Sequence, residues 1–301
     1  DSAFFDKTAK FLKYLPDVAV VGNLEFDHAD IFDDLDAIRL EFRRLVRLIP
    51  GQGLLIVGAD SDEAFALRDE AHCPVESFGL SSGADWKAVS ITTVETGTKF
   101  LIERDGEPFV RITSPLLGDY NVRNVLAATA MAAAAGVDAE DIANGVATFE
   151  GVKRRLESLG EVHGVTLYDA FAHHPTAVAE TLAAVRAAYP GQRIWAIFEP
   201  RSATACRRLV ESDLASALMK ADEVVLAPVY RKTVAEAMRL SPERVIAMLT
   251  ANGVRARYLS EVEDIVKVVA EEAREGDQIV IMSNGAFAGI HHKLLTALSV
   301  A

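Results

Sequence analysis

Cysteine and long apolar runs are scarce in this chain. Its 301 residues include two cysteines, Cys73 and Cys206, which form no paired metal or redox motif. So few thiols fit a reducing compartment, and we expect both to be small core residues. No apolar run approaches the roughly 18 residues of a membrane-spanning helix, and the sequence shows no signal peptide. The sequence therefore predicts a cytoplasmic protein that does not enter a membrane.

Positive charge is also in short supply. Lysine and arginine number 31 against 44 acidic residues, and the formal net charge is −13. An acidic surface repels nucleic acid and anionic lipid, so we expect neither as a partner. Phosphate groups would have to be bound by local arginines and by Mg²⁺. Half of the residues are hydrophobic, which suits a globular protein of one large domain or two ordinary ones.

The hydrophobic periodicity changes along the chain. The first half begins with strands and helices, then alternates with period two around the hairpin signal Asp105-Gly106. In the second half strands alternate regularly with helices, which is typical of a doubly wound sheet. We therefore predict an α/β fold with a domain boundary near Gly151, giving domains at 1–150 and 151–301.

A polar stretch, 23–30, follows the apolar run from Val18 to Val21. Because ligands bind beyond the carboxyl ends of strands in an open α/β sheet, its acids and His28 are candidates for a Mg²⁺ site. The alternative is a polar loop that caps the next helix. A phosphate loop of the form G-x-x-x-x-G-K-[ST] is missing from the chain.

Two asparagines open an alanine-rich helix predicted at 122–135. Asn121 and Asn124 are three residues apart, so both can point from one face of the first turn. An amide offers a donor and an acceptor together, which suits an adenine edge. The alternative is that Asn121 only caps the helix.

Further polar groups lie at the boundary and at strand ends in the second half. Arg154 and Arg155 can bind phosphate bidentately, or they can form a solvated basic run. Asp169 can hold a ribose hydroxyl, and His173 and His174 can donate to phosphate or order a water. Two more loops follow strands, where a substrate cleft would lie, although both can be simple connecting turns. Their candidate residues are Arg201, Ser202, Ser283, Asn284 and Gly285.

Taken in order, these stretches resemble the motifs of the Mur ligases, the ATP-dependent amide-forming enzymes of peptidoglycan synthesis. The residues at 2–7, 23–33 and 199–202 are most similar to the branch that rejoins a recycled murein tripeptide to UDP-N-acetylmuramate. Five positions depart from the family pattern, which usually has His, Asp, Asn, Gly and Gly there: Tyr120, Ala170, Ala203, Ala286 and Ala288.

The resemblance implies a fold and a reaction. The fold would be part of the central ATPase domain followed by a Rossmann-like C-terminal domain. ATP would phosphorylate the muramyl carboxylate, and the amine of L-alanyl-γ-D-glutamyl-meso-diaminopimelate would attack the acyl phosphate. One alternative is the ligase that adds L-alanine to UDP-N-acetylmuramate, against which the Glu-Pro-Arg-Ser segment argues. Another is a non-catalytic Rossmann-like binding module.

The resemblance, together with the residue types, also suggests roles. His28 would be a magnesium ligand, and His28, Arg155 and His173 would be catalytic. The predicted ATP-binding set is Asn124, Arg154, Arg155, Asp169 and His174, and the predicted tripeptide-binding set is Arg201, Ser202, Ser283, Asn284 and Gly285. Family members carry a UDP-sugar domain and the phosphate loop upstream of the point where this chain begins. We therefore expect a fragment that is inactive alone and binds ATP weakly.

Overall fold

A computed structural model describes residues 8–231 and 233–300 of the chain. The chain divides into two compact units between Glu150 and Gly151. Each unit is built on a six-stranded sheet with helices on both faces. The α/β class predicted from the sequence is confirmed. The resembling stretch at 2–7 lies outside the described residues.

The sheet of the first unit is parallel at one side and antiparallel at the other. Its strands are β1 Val18–Val21, β2 Leu54–Gly58, β3 Val75–Gly79, β4 Trp86–Val94, β5 Gly97–Arg104 and β6 Glu107–Ser114. They lie in the order β1-β2-β3-β4-β5-β6, with parallel pairing up to β4 and antiparallel pairing from β4 to β6. The antiparallel part is the region where the sequence changes to period two.

Among the described residues of this unit, four α-helices cover the sheet, at α1 Leu35–Leu48, α2 Asp62–Phe65, α3 Asp119–Ala134 and α4 Ala139–Ala147. Along β2, Leu55 and Val57 pack on the α1 and α2 side, whereas Ile56 packs on the α3 side. A strand buried on both faces needs such an apolar run. Helix α3 begins three residues before the predicted start, because Gly118 at φ 91° turns the chain and caps the helix.

The second unit contains β7 Arg155–Val162, β8 Val165–Ala170, β9 Ile194–Phe198, β10 Glu223–Leu226, β11 Arg255–Tyr258 and β12 Gln278–Met282. Strand β7 pairs antiparallel with β8, and the other pairs are parallel, in the order β11-β10-β9-β12-β8-β7. The helices are α5 Pro175–Ala188, α6 Glu211–Leu218, α7 Pro242–Ala251, α8 Val262–Glu272 and α9 Ile290–Val300. Helices α5 to α7 pack on one face and α8 and α9 on the other.

The position of β12 matters for the site. The chain steps outward from β8 through β9 and β10 to β11, and β12 then returns to lie between β8 and β9. The direction of winding therefore reverses beside β12. At such a switch point the loops diverge above and below the sheet and leave a crevice at the carboxyl ends of the strands.

The two cysteines differ in how deeply they are buried. Cys206 is buried as predicted, but Cys73 is only partly buried. Within residues 8–231 and 233–300, no helix is both long enough and apolar enough to cross a membrane.

The end of β2 approaches the backbone that follows β1 very closely. A Cβ at Gly58 would overlap the carbonyl oxygen of Gly22. We expect Gly58→Ala to lower the free energy of unfolding by about 1–3 kcal/mol, the usual cost of overpacking. Gly145→Ala is the control, because Gly145 lies in α4 with open space around its Cα. It should stabilise by about 0.5–1 kcal/mol.

Both substitutions are best measured by urea unfolding in a Trp195→Phe background, where Trp86 of the first unit is the remaining fluorophore. Equal stability of the two glycine variants would show that the Gly58 contact is not tight.

Candidate functional site

Three of the predicted loops meet at the switch point of the second unit. Met282 at the end of β12 is in register with Ala170 at the end of β8 and with Phe198 at the end of β9. The loops that start at 171, 199 and 283 therefore leave the sheet side by side. The sequence identified these loops separately, and the structure brings them together.

Arg154 holds two of these strand ends. Its Nε donates to Asp169 Oδ2 at 3.1 Å, and its Nη2 donates to the carbonyl oxygens of Ser283 and Gly285 at 2.6 and 2.8 Å. Its own carbonyl accepts from the Phe171 N–H at 2.6 Å. Two of the three guanidinium nitrogens are thus committed to the protein. Arg154 therefore supports the site, and its predicted contact with ATP stays a prediction.

The carboxylate of Asp169 lies between this arginine and a histidine. His291, at the start of α9, places its Nε2 3.2 Å from Asp169 Oδ1. Burial by itself would raise the pKa of Asp169, but the adjacent His291 ring and the Arg154 guanidinium outweigh it and hold the pKa below its usual range. The next residue, Ala170, points to the opposite face and is buried in the core beside α5. The acid that usually stands at 170 in the family would therefore not join this cluster.

The loop after β9 is tied to the loop after β12. Ser283 Oγ donates to Glu199 Oε2 at 2.5 Å and accepts from the Gly285 N–H at 2.9 Å. Both Ser283 and Glu199 are buried. Gly285 lies directly against the Arg201 side chain, and a Cβ there would overlap the guanidinium. The glycine is therefore needed for a close approach to Arg201.

Arg201 faces a cleft of about 420 Å³. Its guanidinium carbon lies 3.6 Å from the centre of the Tyr230 ring, and its Nη1 lies 3.6 Å from Glu199 Oε1. The cleft is also lined by Glu261 and Glu263 from the loop and helix that follow β11. It thus presents one stacked cation and several carboxylates at the carboxyl ends of the strands. Charged groups of both signs suit a ligand that carries both an ammonium and a carboxylate.

Two other predicted residues lie in the loops after β9 and β12 and differ in their bonding. Ser202 is buried, and its hydroxyl accepts from the Ala205 N–H at 2.9 Å, so it stabilises the turn. Asn284 is partly buried, and its Oδ1 has no hydrogen-bond partner in the described part of the chain. A buried acceptor without a partner is costly, and a donor on a ligand would satisfy it. Any role of either residue toward a substrate stays a prediction.

Phe171 organises the remaining candidates around it. The Arg155 guanidinium lies 5.3 Å from the ring centre, and the His173 ring packs edge-on at 5.4 Å. His173 Nδ1 is 2.8 Å from the Phe171 carbonyl oxygen. His174 is the N-cap of α5, where its Nδ1 accepts from the Thr176 N–H at 3.4 Å. Arg155 is exposed, and the contact with the Phe171 ring orients its guanidinium. His174 caps α5.

The turn before α9 contains two departures from the family pattern. Ala288 has φ 48°, in the left-handed region that favours glycine, whereas Ala286 has an ordinary φ of −79°. A non-glycine residue in that region costs roughly 1–2 kcal/mol. The change at Ala288 therefore carries a local cost, and the change at Ala286 carries none.

In the first unit the predicted metal loop follows β1. His28 is exposed and also has a left-handed backbone, with φ 54°. Its N–H donates to Asp27 Oδ1 at 2.7 Å, and its carbonyl accepts from the N–H groups of Ile31 and Phe32. No three histidine, cysteine or acidic side chains converge to hold a metal ion anywhere in the chain that the structure describes. The predicted set of neighbouring acids therefore does not form a ready-made site.

The two asparagines of α3 do share a face. Asn124 Nδ2 donates to Asn121 Oδ1 at 3.3 Å, and Asn121 Nδ2 donates to the Leu117 carbonyl at 2.9 Å. Asn121 is buried inside the first turn, so the capping alternative is wrong, and Gly118 occupies the N-cap. Asn124 is exposed and held by its neighbour.

Three residues of the second unit were not assigned from the sequence. Glu199 stood inside a recognised motif, but nothing in the pattern indicated that it binds Ser283. His291 lies at the start of the last helix, and a histidine beside a helix start was the one signal that pointed to it. Tyr230 had no signal, because it reaches Arg201 from the loop after β10.

These two units belong to the class of α/β proteins in which polar loops beyond the carboxyl ends of the strands bind ligands. The Mur ligase middle domain matches residues 5–132, and the domain described as Mur ligase, glutamate ligase domain matches residues 154–285. The chain belongs to the Mur ligase family and comprises a middle and a C-terminal domain of it.

Relatives with known names are similar over nearly the whole chain. The UDP-N-acetylmuramate–L-alanyl-γ-D-glutamyl-meso-2,6-diaminoheptandioate ligase of Escherichia coli is 41% identical over 99% of this chain and 63% of its own length. The UDP-N-acetylmuramate–L-alanine ligase of Acetivibrio thermocellus is 32% identical over 91% of this chain and 59% of its own. A murein peptide ligase structure from Psychrobacter arcticus has a TM-score of 0.69 at 34% identity, over 100% of this chain and 61% of that one. The chain thus spans about three-fifths of the length of these relatives.

The charge cluster at Asp169 should make stability depend on pH. Because the folded pKa of Asp169 is lowered, its contribution is present above the unfolded pKa of about 4 and is lost as pH falls through the folded value. We expect Asp169→Asn to lower the free energy of unfolding by about 1–3 kcal/mol at pH 7. The difference from the native chain should shrink below about pH 4.

Urea unfolding followed by Trp195 fluorescence in a Trp86→Phe background measures this in the second unit. Asp264→Asn removes an exposed carboxylate from the same unit and should have little effect. A loss for Asp169→Asn that stays constant from pH 7 to pH 3 would contradict the assignment.

Proposed function

We propose that this chain supplies the nucleotide-binding and peptide-binding parts of an ATP-dependent ligase. The ligase joins L-alanyl-γ-D-glutamyl-meso-diaminopimelate to the carboxylate of UDP-N-acetylmuramate through an acyl phosphate. It would act in the cytoplasm. The observation that carries the proposal is the Arg201 cleft, in which a cation stacked on Tyr230 is set beside Glu199 and the Gly285 turn.

The peptide brings carboxylates and ammonium groups to the enzyme. Arg201 offers a planar set of donors for a carboxylate, and its stacking on Tyr230 reduces the entropy that binding costs. The turn after β12 adds Asn284, whose buried Oδ1 has no hydrogen-bond partner among the described residues. These groups suit the free end of a peptide more than they suit a nucleotide.

Two exposed side chains are proposed as nucleotide contacts, Asn124 in the first unit and Arg155 in the second. Asn124 offers its amide to the adenine edge, and Arg155 offers an exposed guanidinium to phosphate or ribose oxygens. Phosphoryl transfer needs charge neutralisation and alignment more than covalent chemistry from the protein. Exposed donors fixed by neighbouring side chains serve that purpose.

Mg²⁺ would neutralise the phosphoryl charge, and His28 is the proposed protein ligand. The left-handed backbone of His28 supports this role, since strained residues cluster at functional sites. Because no three histidine, cysteine or acidic side chains converge in the described residues, Mg²⁺ held by His28 would take most of its other ligands from phosphate oxygens and water.

The main rival is a ligase that adds free L-alanine. The 32% identity to such an enzyme is lower than the 41% identity to the tripeptide ligase, and the difference favours the peptide. A non-catalytic module is the second rival.

The deciding experiment supplies the gene product that contains this chain with ATP, Mg²⁺, UDP-N-acetylmuramate and either the tripeptide or L-alanine. Mass spectrometry would identify the product, and phosphate release would give the rate. We expect an ATP-dependent UDP-muramyl tripeptide. Product with L-alanine alone would establish the rival ligase, and no product with either would favour the binding module.

His28→Ala should lower ligase turnover by at least about tenfold, the scale for loss of a charge-stabilising group. Turnover is measured at subsaturating and saturating Mg²⁺. His72→Ala serves as the control, because His72 is also exposed in a loop of the first unit. Turnover equal to that of the native protein at subsaturating Mg²⁺ would exclude His28 as a ligand.

Substitutions in the two predicted sets should separate ATP from peptide. Asn124→Ala and Arg155→Ala should raise the Michaelis constant for ATP, whereas Arg201→Ala should raise that for the tripeptide, each by about tenfold or more. Arg208→Ala, an exposed arginine near Arg201 in sequence, is the control. If Arg201→Ala raises the Michaelis constant for ATP alone, Arg201 serves the nucleotide, and its assignment to the peptide is wrong.

A further inference from the structure

Asp60 connects three segments at the carboxyl edge of the first sheet. It follows β2, and its Oδ2 and Oδ1 accept from the N–H groups of Leu80 and Ser81 at 2.9 and 3.0 Å. Both donors belong to the loop after β3. Asp60 Oδ2 also accepts from Arg123 Nε at 2.8 Å. Arg123 lies in α3, one residue before Asn124.

The approach of this carboxylate is built into the backbone. A Cβ at Gly79 would lie 2.8 Å from Asp60 Oδ1, which is closer than real Cβ contacts. Glycine at 79 therefore lets the acid reach two N–H groups at once. The Asp60 side chain is 17% exposed, and its contacts are polar groups of the sheet edge. It contributes little apolar burial, so its main effect is on where these segments lie.

The charge of Asp60 is needed for this arrangement. Burial would raise the pKa of Asp60, but the hydrogen bonds from Leu80, Arg123 and Ser81 hold it below the usual value. Every partner named here is a donor, so an amide at this position could not satisfy them with both of its ends.

The neighbouring residue extends the connection to the loop of His28. Ser61 Oγ accepts from the Leu24 N–H at 3.4 Å and from the Ala64 N–H at 3.3 Å, where it caps α2. Leu24 is a buried residue within the polar stretch 23–30 that contains His28. The pair Asp60-Ser61 thus touches the loops after β1 and β3 and the first turns of α3.

We propose that Asp60 is a positioning residue for the adenine nucleotide, because it fixes the first turns of α3 and holds Asn124 in register with the loops of the sheet edge. The inference rests on the proposed function and adds a residue that contacts no substrate. Asp60 acts through Arg123, which α3 presents beside Asn124. Loss of the carboxylate leaves the core packing intact and releases the segment that meets the nucleotide.

The test measures ATP and peptide separately in the gene product that contains this chain. Asp60→Asn should raise the Michaelis constant for ATP about fivefold to tenfold and leave that for the tripeptide within about twofold. Asp69→Asn is the matched control, because Asp69 is an exposed acid of the same unit. Equal rises for ATP and tripeptide, or an ATP constant equal to that of the control, would overturn the inference.

Arg123 variants keep the test informative if Asp60→Asn folds poorly. Arg123→Gln removes the cation and leaves the Leu80 and Ser81 bonds in place. It should raise the Michaelis constant for ATP by a similar factor. Arg123→Lys keeps a cation beside Asp60 and should recover most of the loss. Because the two residues act as one pair, the double variant Asp60→Asn, Arg123→Gln should raise the Michaelis constant for ATP no further than Asp60→Asn alone. Additive losses would show that the pair is not the connection.

A second readout separates this inference from the proposed function. Hydrogen exchange in the 301-residue chain should be faster at residues 79–83 and 118–124 in Asp60→Asn than in Asp69→Asn. Exchange at the control rate would overturn the inference even if the ligase activity is confirmed. A gene product that binds ATP but forms no peptide product would contradict the proposed function. The role of Asp60 would still be decided by hydrogen exchange and by ATP binding in the Asp60→Asn and Asp69→Asn variants.

Discussion

The second unit depends on the hydrogen bonds by which the Arg154 guanidinium joins two strand ends. Its bonds to Asp169 and to the carbonyls of Ser283 and Gly285 join β8 to the turn after β12. Charge-assisted bonds are stronger than neutral ones, and they keep this partly buried cation compensated. With the turn fixed, Gly285 can lie against Arg201 and limit the positions of that side chain.

The same organisation explains why polar residues collect where they do. Insertion of β12 between β8 and β9 brings three strand ends to the place where winding reverses. Buried strands can carry few polar groups, so the chemistry lies in the first residues beyond them. Glu199 and Ser283 are the first residues beyond β9 and β12, and Asp169 lies one residue before the end of β8. The first unit repeats the principle with Asp60 beyond β2.

Local pattern was enough for most of the elements. Proline at the starts of α5 and α7 and the continuous apolar run of β9 are strong local signals, and the structure has a helix or a strand at each of them. Errors lie at ends such as the start of α3, where a glycine in the left-handed region began the helix earlier. The short 3-10 turn Phe287–Gly289 was not predicted, since its unusual φ angles depend on surrounding contacts.

The sequence by itself determined the family, the α/β class and the motifs in which candidate residues stand. It did so because motif spacing and hydrophobic period are carried by neighbouring residues. Only the tertiary structure decided which partner each polar side chain takes. Arg154 binds Asp169 and two carbonyls, Ser283 binds Glu199, and Arg201 stacks on Tyr230, which lies 29 positions along the chain. Such pairs form between strands that are neighbours in the sheet but distant in sequence, and strand order is a property of the packed fold.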